Sequence, residues 1–243
     1  MKHSFSVVFC VALAALSLLG CSRKLDENQL PRPSSRLVSA SQSFPGIIMI
    51  TSPKLCTATL VGPQTLLTAT HCVNQGTPIT IQTPQGSQQS SDIWVLGSGI
   101  EGDPHDLALV YLSSPLLSKQ DILPIVSGVD PGDNVLVVGY GCAASETMAS
   151  AGTKRIGSNV VSDVNDFIEV STPGFQIKSV VGPENRAGVC FGDSGGPLLK
   201  LIGNQWAVIG VTHGAYNDNP GQISQFVNLS NSTNRNFLSQ YIR

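Results

Sequence analysis

Short apolar runs, separated by glycine, proline, asparagine and serine, recur along this chain from residue 46 onward. No helical period lies between them, which is typical of β-strands joined by turns. Six predicted strands form a first group: 47–51, 58–62, 65–69, 78–83, 93–97 and 107–112. Six more form a second group: 134–141, 159–164, 166–172, 196–201, 205–213 and 222–229. The pattern predicts an all-β chain folded as an antiparallel barrel or sandwich.

The two groups predict two β units of similar size, over about 37–120 and 121–230. The stretch after them, "STNRNFLSQYIR", spaces its apolar residues along one helical face: Phe237, Leu238, Tyr241 and Ile242. A serine or threonine cap precedes this face. The sequence therefore predicts a closing helix over about 232–242.

The first 20 residues indicate a secretory signal. Lys2 and His3 precede "FSVVFCVALAALSLLG", an apolar stretch that is too short and too close to the terminus for a membrane span. Its end, "LLGC", resembles the lipobox of bacterial lipoproteins, which implies cleavage before Cys21 and a lipid on that thiol. Ser22, the residue after Cys21, resembles the sorting signal that directs bacterial lipoproteins to the outer membrane. The protein is expected to be exported and held on the cell envelope, or released if the signal is an ordinary one.

Residues 21–36 are rich in serine, proline and charge and lack an apolar period, which predicts a tether or propeptide. Over the whole chain, 41% of residues are hydrophobic and 12% are charged, as in a folded protein with a core. Fourteen basic and sixteen acidic residues give a net charge of -2 without a basic run. Nucleic acid is therefore not an expected partner.

Four cysteines remain once Cys10 leaves with the signal and Cys21 carries lipid: Cys56, Cys72, Cys142 and Cys190. In an exported domain four cysteines favour two disulfides, and counting alone leaves three pairings open. No Cys-x-x-Cys pair or His/Cys cluster has zinc spacing, so neither a metal nor another cofactor is expected.

The stretch "GVCFGDSGGPLL", residues 188–199, places Ser194 between an acid and two glycines. Serine becomes a good nucleophile only beside a base, a group that orients the base, and donors for an oxyanion. His71 in "LLTATHC" follows an apolar strand, and Asp106 in "DPHDLALVYL" precedes one. Taken singly, either residue also fits an ordinary structural role at a strand end.

Together and in order, "TATHC", "HDLAL" and "GDSGGP" resemble the three signatures of the chymotrypsin/trypsin-like serine peptidase family, over about residues 37–243. The resemblance implies two six-stranded antiparallel β-barrels with a C-terminal helix. It implies Ser194 as nucleophile, His71 as general base and then acid, and Asp106 as the group that holds the imidazole. It also implies an oxyanion hole made by the backbone N–H groups of Gly192 and Ser194.

The same resemblance implies a disulfide between Cys56 and Cys72, beside the histidine. Cys190 departs from the family, because its usual partner lies later in the chain and no cysteine follows position 190. The family fold brings "GYGC" near the nucleophile loop, so Cys142 is the expected partner of Cys190.

Asp193 matches the family position that pairs with a new amino terminus after activation. Cleavage after Arg36 by another protease would free the amine of Leu37, although Ser39 and Ala40 stand where the family has glycines. The alternative is that Arg36 belongs only to the tether and that Asp193 has another partner.

Gly188 matches the floor of the family's specificity pocket, and no acid is present there to bind lysine or arginine. The remaining expected pocket residues are Val189, Thr212, His213, Gly214 and Gly221. This lining favours an apolar side chain before the scissile bond. His213 raises the alternative of glutamate specificity, because some bacterial relatives bind glutamate with a histidine in this strand.

The sequence thus predicts a serine endopeptidase acting on proteins or peptides. A second hypothesis is an inactive binding protein on the same fold, because fold alone does not establish turnover. An esterase is disfavoured, because "GDSGGP" follows β-rich sequence rather than opening a helix after a strand.

Overall fold

The computed structural model describes residues 44–83, 85–142, 150–172, 186–218 and 221–242. These residues belong to one compact unit, Pro31–Arg243. The predicted signal, the tether, Cys21 and the candidate cleavage site at Arg36 and Leu37 lie outside the described residues.

The first β unit is a seven-stranded antiparallel sheet. Its strands are β1 (Ile47–Ser52), β2 (Cys56–Gly62), β3 (Thr65–Thr68), β4 (Thr80–Thr83), β5 (Gly86–Gln89), β6 (Asp92–Leu96) and β7 (Leu107–Tyr111). They hydrogen-bond in the order β5-β4-β1-β2-β3-β7-β6. The prediction of six strands missed β5, whose sequence "GSQQ" carries no apolar residue and is partly exposed along its length.

The second β unit is a closed barrel of six strands, as predicted. Its strands are β8 (Asn134–Gly139), β9 (Arg155–Val164), β10 (Phe167–Thr172), β11 (Pro197–Ile202), β12 (Gln205–Asp218) and β13 (Gly221–Asn228). Their order around the barrel is β10-β13-β12-β11-β8-β9. Strands β12 and β13 are long and pair from Gly210 with Asn228 to Asp218 with Gly221, with one shift of register.

Each β unit encloses apolar side chains. Leu60, Leu66 and Leu109 are fully buried in the first, while Ile168 and Phe226 are fully buried in the second. Strands β2, β3 and β7 are buried at every position, which is why they appear in the sequence as continuous runs rather than as alternating ones.

The predicted C-terminal helix is confirmed as α1 (Ser232–Tyr241). The Asn231 side chain caps it by accepting the N–H of Thr233 at 2.9 Å. Phe237 and Leu238 are buried against the first core. None of the helices in the described residues has the length and apolar character needed to cross a membrane.

Candidate active site

His71 lies in a 3-10 turn, Thr70–Cys72, that follows β3 directly. The Cys56–Cys72 disulfide ties this turn to the start of β2, as the family resemblance implied. The Thr70 hydroxyl lies 2.7 Å from the carbonyl oxygens of both Leu96 and Leu107, which are the facing ends of β6 and β7. Contacts with β2, β6 and β7 therefore fix the backbone that carries His71.

Asp106 immediately precedes β7 and meets His71 through two hydrogen bonds. The backbone N–H of His71 donates to Oδ1 of Asp106 at 2.9 Å, and Nδ1 of the ring lies 2.6 Å from Oδ2. The Asp106 side chain is 0% exposed, whereas that of His71 is 20% exposed. The pair therefore has a buried acid end and an imidazole that reaches solvent.

Burial alone would raise the pKa of Asp106, but hydrogen bonds from His213 and His71 outweigh it and hold this pKa well below its ordinary value. The carboxyl group is consequently an ionised acceptor. Because it can only accept, the facing Nδ1 of His71 carries the ring proton and its Nε2 keeps a free lone pair.

His213 also contacts Asp106, which the sequence did not predict. Its Nδ1 lies 2.7 Å from Oδ2 of Asp106, and the backbone N–H of Gly102 donates to its Nε2 at 3.1 Å. The β12–β13 pairing shifts register between Thr212 and Gly214, so the side chain of His213 leaves the regular alternation of the strand. The sequence does not reveal this irregularity at His213.

His105 has a structural partner in α1. Its Nδ1 lies 2.8 Å from Oδ1 of Asn234, a fully buried side chain. The Asn234 amide in turn donates to the carbonyl oxygens of Pro104 at 3.0 Å and Asn228 at 2.9 Å. Helix α1 thus braces the loop that presents Asp106.

The nucleophile loop is anchored by Thr57 on β2. The backbone N–H of Thr57 donates to the carbonyl oxygen of Ser194, and its hydroxyl donates to that of Gly192, both at 2.8 Å. Gly192 has φ +101°, a left-handed conformation that side chains strongly disfavour. Among the described residues, the backbone N–H groups of Gly192 and Ser194 have no protein acceptor, as an oxyanion hole requires.

Asp193 points away from the cleft and is buried. Its carboxylate accepts the backbone N–H groups of Gly141 at 2.7 Å and Cys190 at 2.9 Å. Burial raises the pKa of Asp193 to about 6, against the opposing effects of these two N–H groups and of the Arg155 charge. The Cys142–Cys190 disulfide joins the same two segments, which confirms the expected pairing.

Ser194 and His71 line one open cavity of about 400 Å³. Four of the residues expected in the specificity pocket also line it: Val189, Thr212, His213 and Gly214. Phe191, Tyr216 and Glu101, which the sequence did not single out, complete its rim. Phe191 is 56% exposed and Tyr216 42% exposed, unusual values for large aromatic side chains.

The trypsin family profile matches residues 37–235. The chain belongs to the trypsin family. It is 26% identical to kallikrein-11 of Homo sapiens over 184 residues, which are 65% of this chain and 63% of that protein. It is 25% identical to transmembrane protease serine 11G of Rattus norvegicus over 215 residues, 79% of this chain and 51% of that protein.

A third relative is vitamin K-dependent protein C of Rattus norvegicus, 24% identical over 194 residues, 68% of this chain and 41% of that protein. The chain spans about half the length of the curated relatives that it matches. What is shared is therefore the trypsin-family domain.

Within this trypsin-family domain the two glycines expected in the pocket, Gly188 and Gly221, are buried and do not line the cavity. A Cβ at position 188 would overlap the side-chain amide oxygen of Gln222. Gln222 is fully buried, and its amide donates to the carbonyl oxygen of Val189 at 3.1 Å. Sequence reasoning missed Gln222 because its side-chain direction depends on the pairing of β13.

Among the residues that the structure describes, two groups of side chains bring metal-type donors together. In the first, Cys56 and Cys72 are joined in a disulfide and offer no thiolate. In the second, Asp106 Oδ2 lies 2.6 and 2.7 Å from the Nδ1 atoms of His71 and His213. Ligands of a tetrahedral zinc ion stand about 3.3 Å apart, so these atoms are spaced to share protons.

Proposed function

We propose that this protein is a serine endopeptidase that hydrolyses peptide bonds through an acyl-enzyme on Ser194. The observation that carries the proposal is the ionised, buried Asp106 holding Nδ1 of His71 at 2.6 Å, with His71 and Ser194 lining one cavity. The remaining ring nitrogen of His71 is the base that an unactivated serine needs.

In the first half of the reaction, Nε2 of His71 takes the Ser194 hydroxyl proton as Oγ attacks the substrate carbonyl carbon. The resulting oxyanion accepts the N–H groups of Gly192 and Ser194. When the tetrahedral intermediate collapses, the His71 cation returns its proton to the leaving amine, and the acyl group stays on Oγ. Water then repeats the sequence, with His71 as base, and releases the carboxylic acid and free Ser194.

The direct test is labelling with a fluorophosphonate probe, which phosphonylates an activated serine with loss of fluoride. Folded protein should gain the mass of one probe molecule less HF on Ser194, while Ser194→Ala should gain none. Ser87→Ala, which removes an exposed hydroxyl of β5, is the matched control and should label like the wild type. A folded, correctly processed wild-type protein that stays unlabelled would instead favour a binding protein on this fold.

We further propose that the enzyme prefers an apolar side chain before the scissile bond. Val189, Ala215 and Phe191 supply apolar surface to the cavity, and Glu101 supplies its one acidic side chain among the described lining residues. The glutamate alternative needs a free nitrogen on His213, whereas both of its ring nitrogens have protein partners. Cleavage of a peptide library by wild type and Ser194→Ala tests this, and a preference for lysine or arginine would contradict it.

Export, lipid attachment at Cys21 and activation after Arg36 belong to the same proposal. The two disulfides support an oxidising compartment. Mass spectrometry of the mature amino terminus should find either lipid-modified Cys21 or Leu37 after cleavage. Replacing Cys21 by serine should release the protein from membranes, and membrane retention of Cys21→Ser would contradict the lipid anchor.

A further inference from the structure

Oδ2 of Asp106 is shared by two imidazole rings, at 2.6 Å from His71 and 2.7 Å from His213. The second ring has a fixed protonation pattern. Because the backbone N–H of Gly102 can only donate, Nε2 of His213 is its acceptor and the ring proton lies on Nδ1. His213 is therefore a neutral donor to Asp106.

The His213 ring is also held in place. Its side chain is 7% exposed, and the Phe167 ring lies 5.2 Å from it. The His71 ring meets it edge-on at 6.0 Å. A ring confined in this way by β10, by β12 and by the Gly102 loop can hold the Asp106 carboxylate in one orientation.

We propose that His213 is a positioning residue for catalysis, which fixes the Asp106 carboxylate and through it the ring of His71. This inference rests on the proposed function. The carboxylate accepts three N–H donors, two from His71 and one from His213, and has no exposure to water that could replace a lost donor. Hydrogen bonds to ionised groups are among the stronger ones in proteins.

His213 also lines the cavity, so its competing role is to form a wall of the specificity pocket. The two roles predict different kinetics. A positioning residue acts on the chemical step and lowers kcat for every substrate, whereas a wall changes KM for some side chains only. Among the described residues, Glu101 and Asp103 flank Gly102 in sequence, and Glu169 lies on β10, the strand of Phe167. All variants below keep these three charges.

Three variants separate the two hydrogen bonds of His213. His213→Asn places an amide donor near the Nδ1 position and can keep the bond to Asp106. His213→Gln places an amide oxygen near the Nε2 position and can keep only the bond from Gly102. His213→Leu keeps neither. With good substrates we expect kcat to fall by about ten- to a hundredfold in the Leu and Gln variants, with KM nearly unchanged and partial rescue in the Asn variant.

A second readout does not depend on turnover. In the Ser194→Ala background, the NMR resonance of the His71 Nδ1 proton should move downfield in the Leu and Gln variants, because His71 becomes the single ring donor to Oδ2. It should stay near its original position in the Asn variant. If wild type is not labelled by fluorophosphonate, the endopeptidase proposal fails, yet this resonance still tests the hydrogen bond.

The proposal is overturned if the Leu or Gln variant, folded by thermal melting, keeps both wild-type kcat and the wild-type resonance. It is also overturned if the loss is confined to KM for one class of substrate. Should the Leu variant not fold, the Gln variant decides, because it preserves the anchor to Gly102.

Discussion

Gly188 and Gln222 are sterically linked: the side-chain amide oxygen of Gln222 occupies the space that any Cβ at position 188 would need. Gln222 is held there by Val189, and its Oε1 also accepts the Ser224 hydroxyl at 3.4 Å. The space beside Gly188 is thus filled by a residue of β13, and neither Gly188 nor Gln222 lines the cavity. An acid at position 188 is incompatible with Gln222 as it stands.

We therefore expect Gly188→Asp to destabilise the protein by about 1–3 kcal/mol through overpacking, with no gain of cleavage after lysine or arginine. Combining it with Gln222→Gly should relieve the overlap and give measurable cleavage after basic residues. Denaturant unfolding and a peptide library measure the two effects, with Gln222→Gly alone as the control. Gly188→Asp alone with wild-type stability and basic specificity would contradict this steric account.

Stability should depend on the ionisation of Asp193. Burial raises the pKa of Asp193 from 3.8 to about 6, so the unfolded state ionises first as the pH rises. Below both values the carboxyl is protonated in both states and contributes no pH dependence. Between about pH 4 and 6 the folded state loses stability, by about 3 kcal/mol in total, relative to Asp193→Asn measured in parallel. A flat difference between the two proteins across this range would contradict the prediction.

The same measurement tests activation by cleavage after Arg36. A free amine at Leu37 that paired with Asp193 would favour the ionised carboxylate and cancel the loss of stability between pH 4 and 6. Cleaved protein should then show a flatter pH dependence than uncleaved protein. Identical profiles would argue that Asp193 keeps the partners seen in the structure, Gly141 and Cys190.

The Cys142–Cys190 disulfide should contribute more stability than Cys56–Cys72. Their sequence separations are 48 and 16, which correspond to about 4 and about 3 kcal/mol of loop-closure free energy. Paired cysteine-to-alanine replacements, compared by denaturant unfolding, measure both. Removing Cys142–Cys190 should also slow fluorophosphonate labelling, because it frees the segments around Asp193. Equal labelling with and without this disulfide would show that the hydrogen bonds of Asp193 and Thr57 are sufficient to hold the loop.

Asn234 should matter for catalysis although it lies on α1. Asn234→Ala removes the amide that donates to the carbonyl oxygens of Pro104 and Asn228 and frees His105, while the Asn228 carbonyl keeps the N–H of Asn231. We expect a loss of about 1–3 kcal/mol of stability and a lower kcat, because the loop before Asp106 loosens. Asn236→Ala, an exposed position on the same helix, is the matched control and should behave like wild type. Unchanged stability and kcat in Asn234→Ala would contradict the bracing role.

The twelve predicted strands have counterparts in the structure because their apolar runs enter two cores, and the strand that was missed has no apolar side chain. β12 also runs to Asp218, beyond its predicted end at position 213. The extension "GAYND" carries no apolar run, and it is a strand because it pairs with β13. Pairing of this kind is a tertiary effect, so a local sequence pattern does not predict it.

For the site, the three signature motifs predicted His71, Asp106 and Ser194, and the resemblance implied the Cys56–Cys72 disulfide. Cys142 was predicted as the partner of Cys190 by elimination and from its place in the family fold. The contacts of His213 and Gln222 were not predictable in the same way. The first depends on a register shift within β12, and the second on which side chain of β13 fills the space beside Gly188. Neither contact can be predicted from the order of residues, because each depends on strands that meet only in the folded chain.

The contacts of Asn234 with the Pro104 carbonyl oxygen and the His105 ring span about 130 positions of sequence. His71 and Asp106 are therefore synthesised long before the helix that steadies them, and Ser194 also follows much later. A half-made or partly unfolded molecule would carry an acid and a base without a nucleophile loop or a brace. Under the proposed function, peptide hydrolysis would therefore begin only after the carboxy-terminal part of the chain has folded.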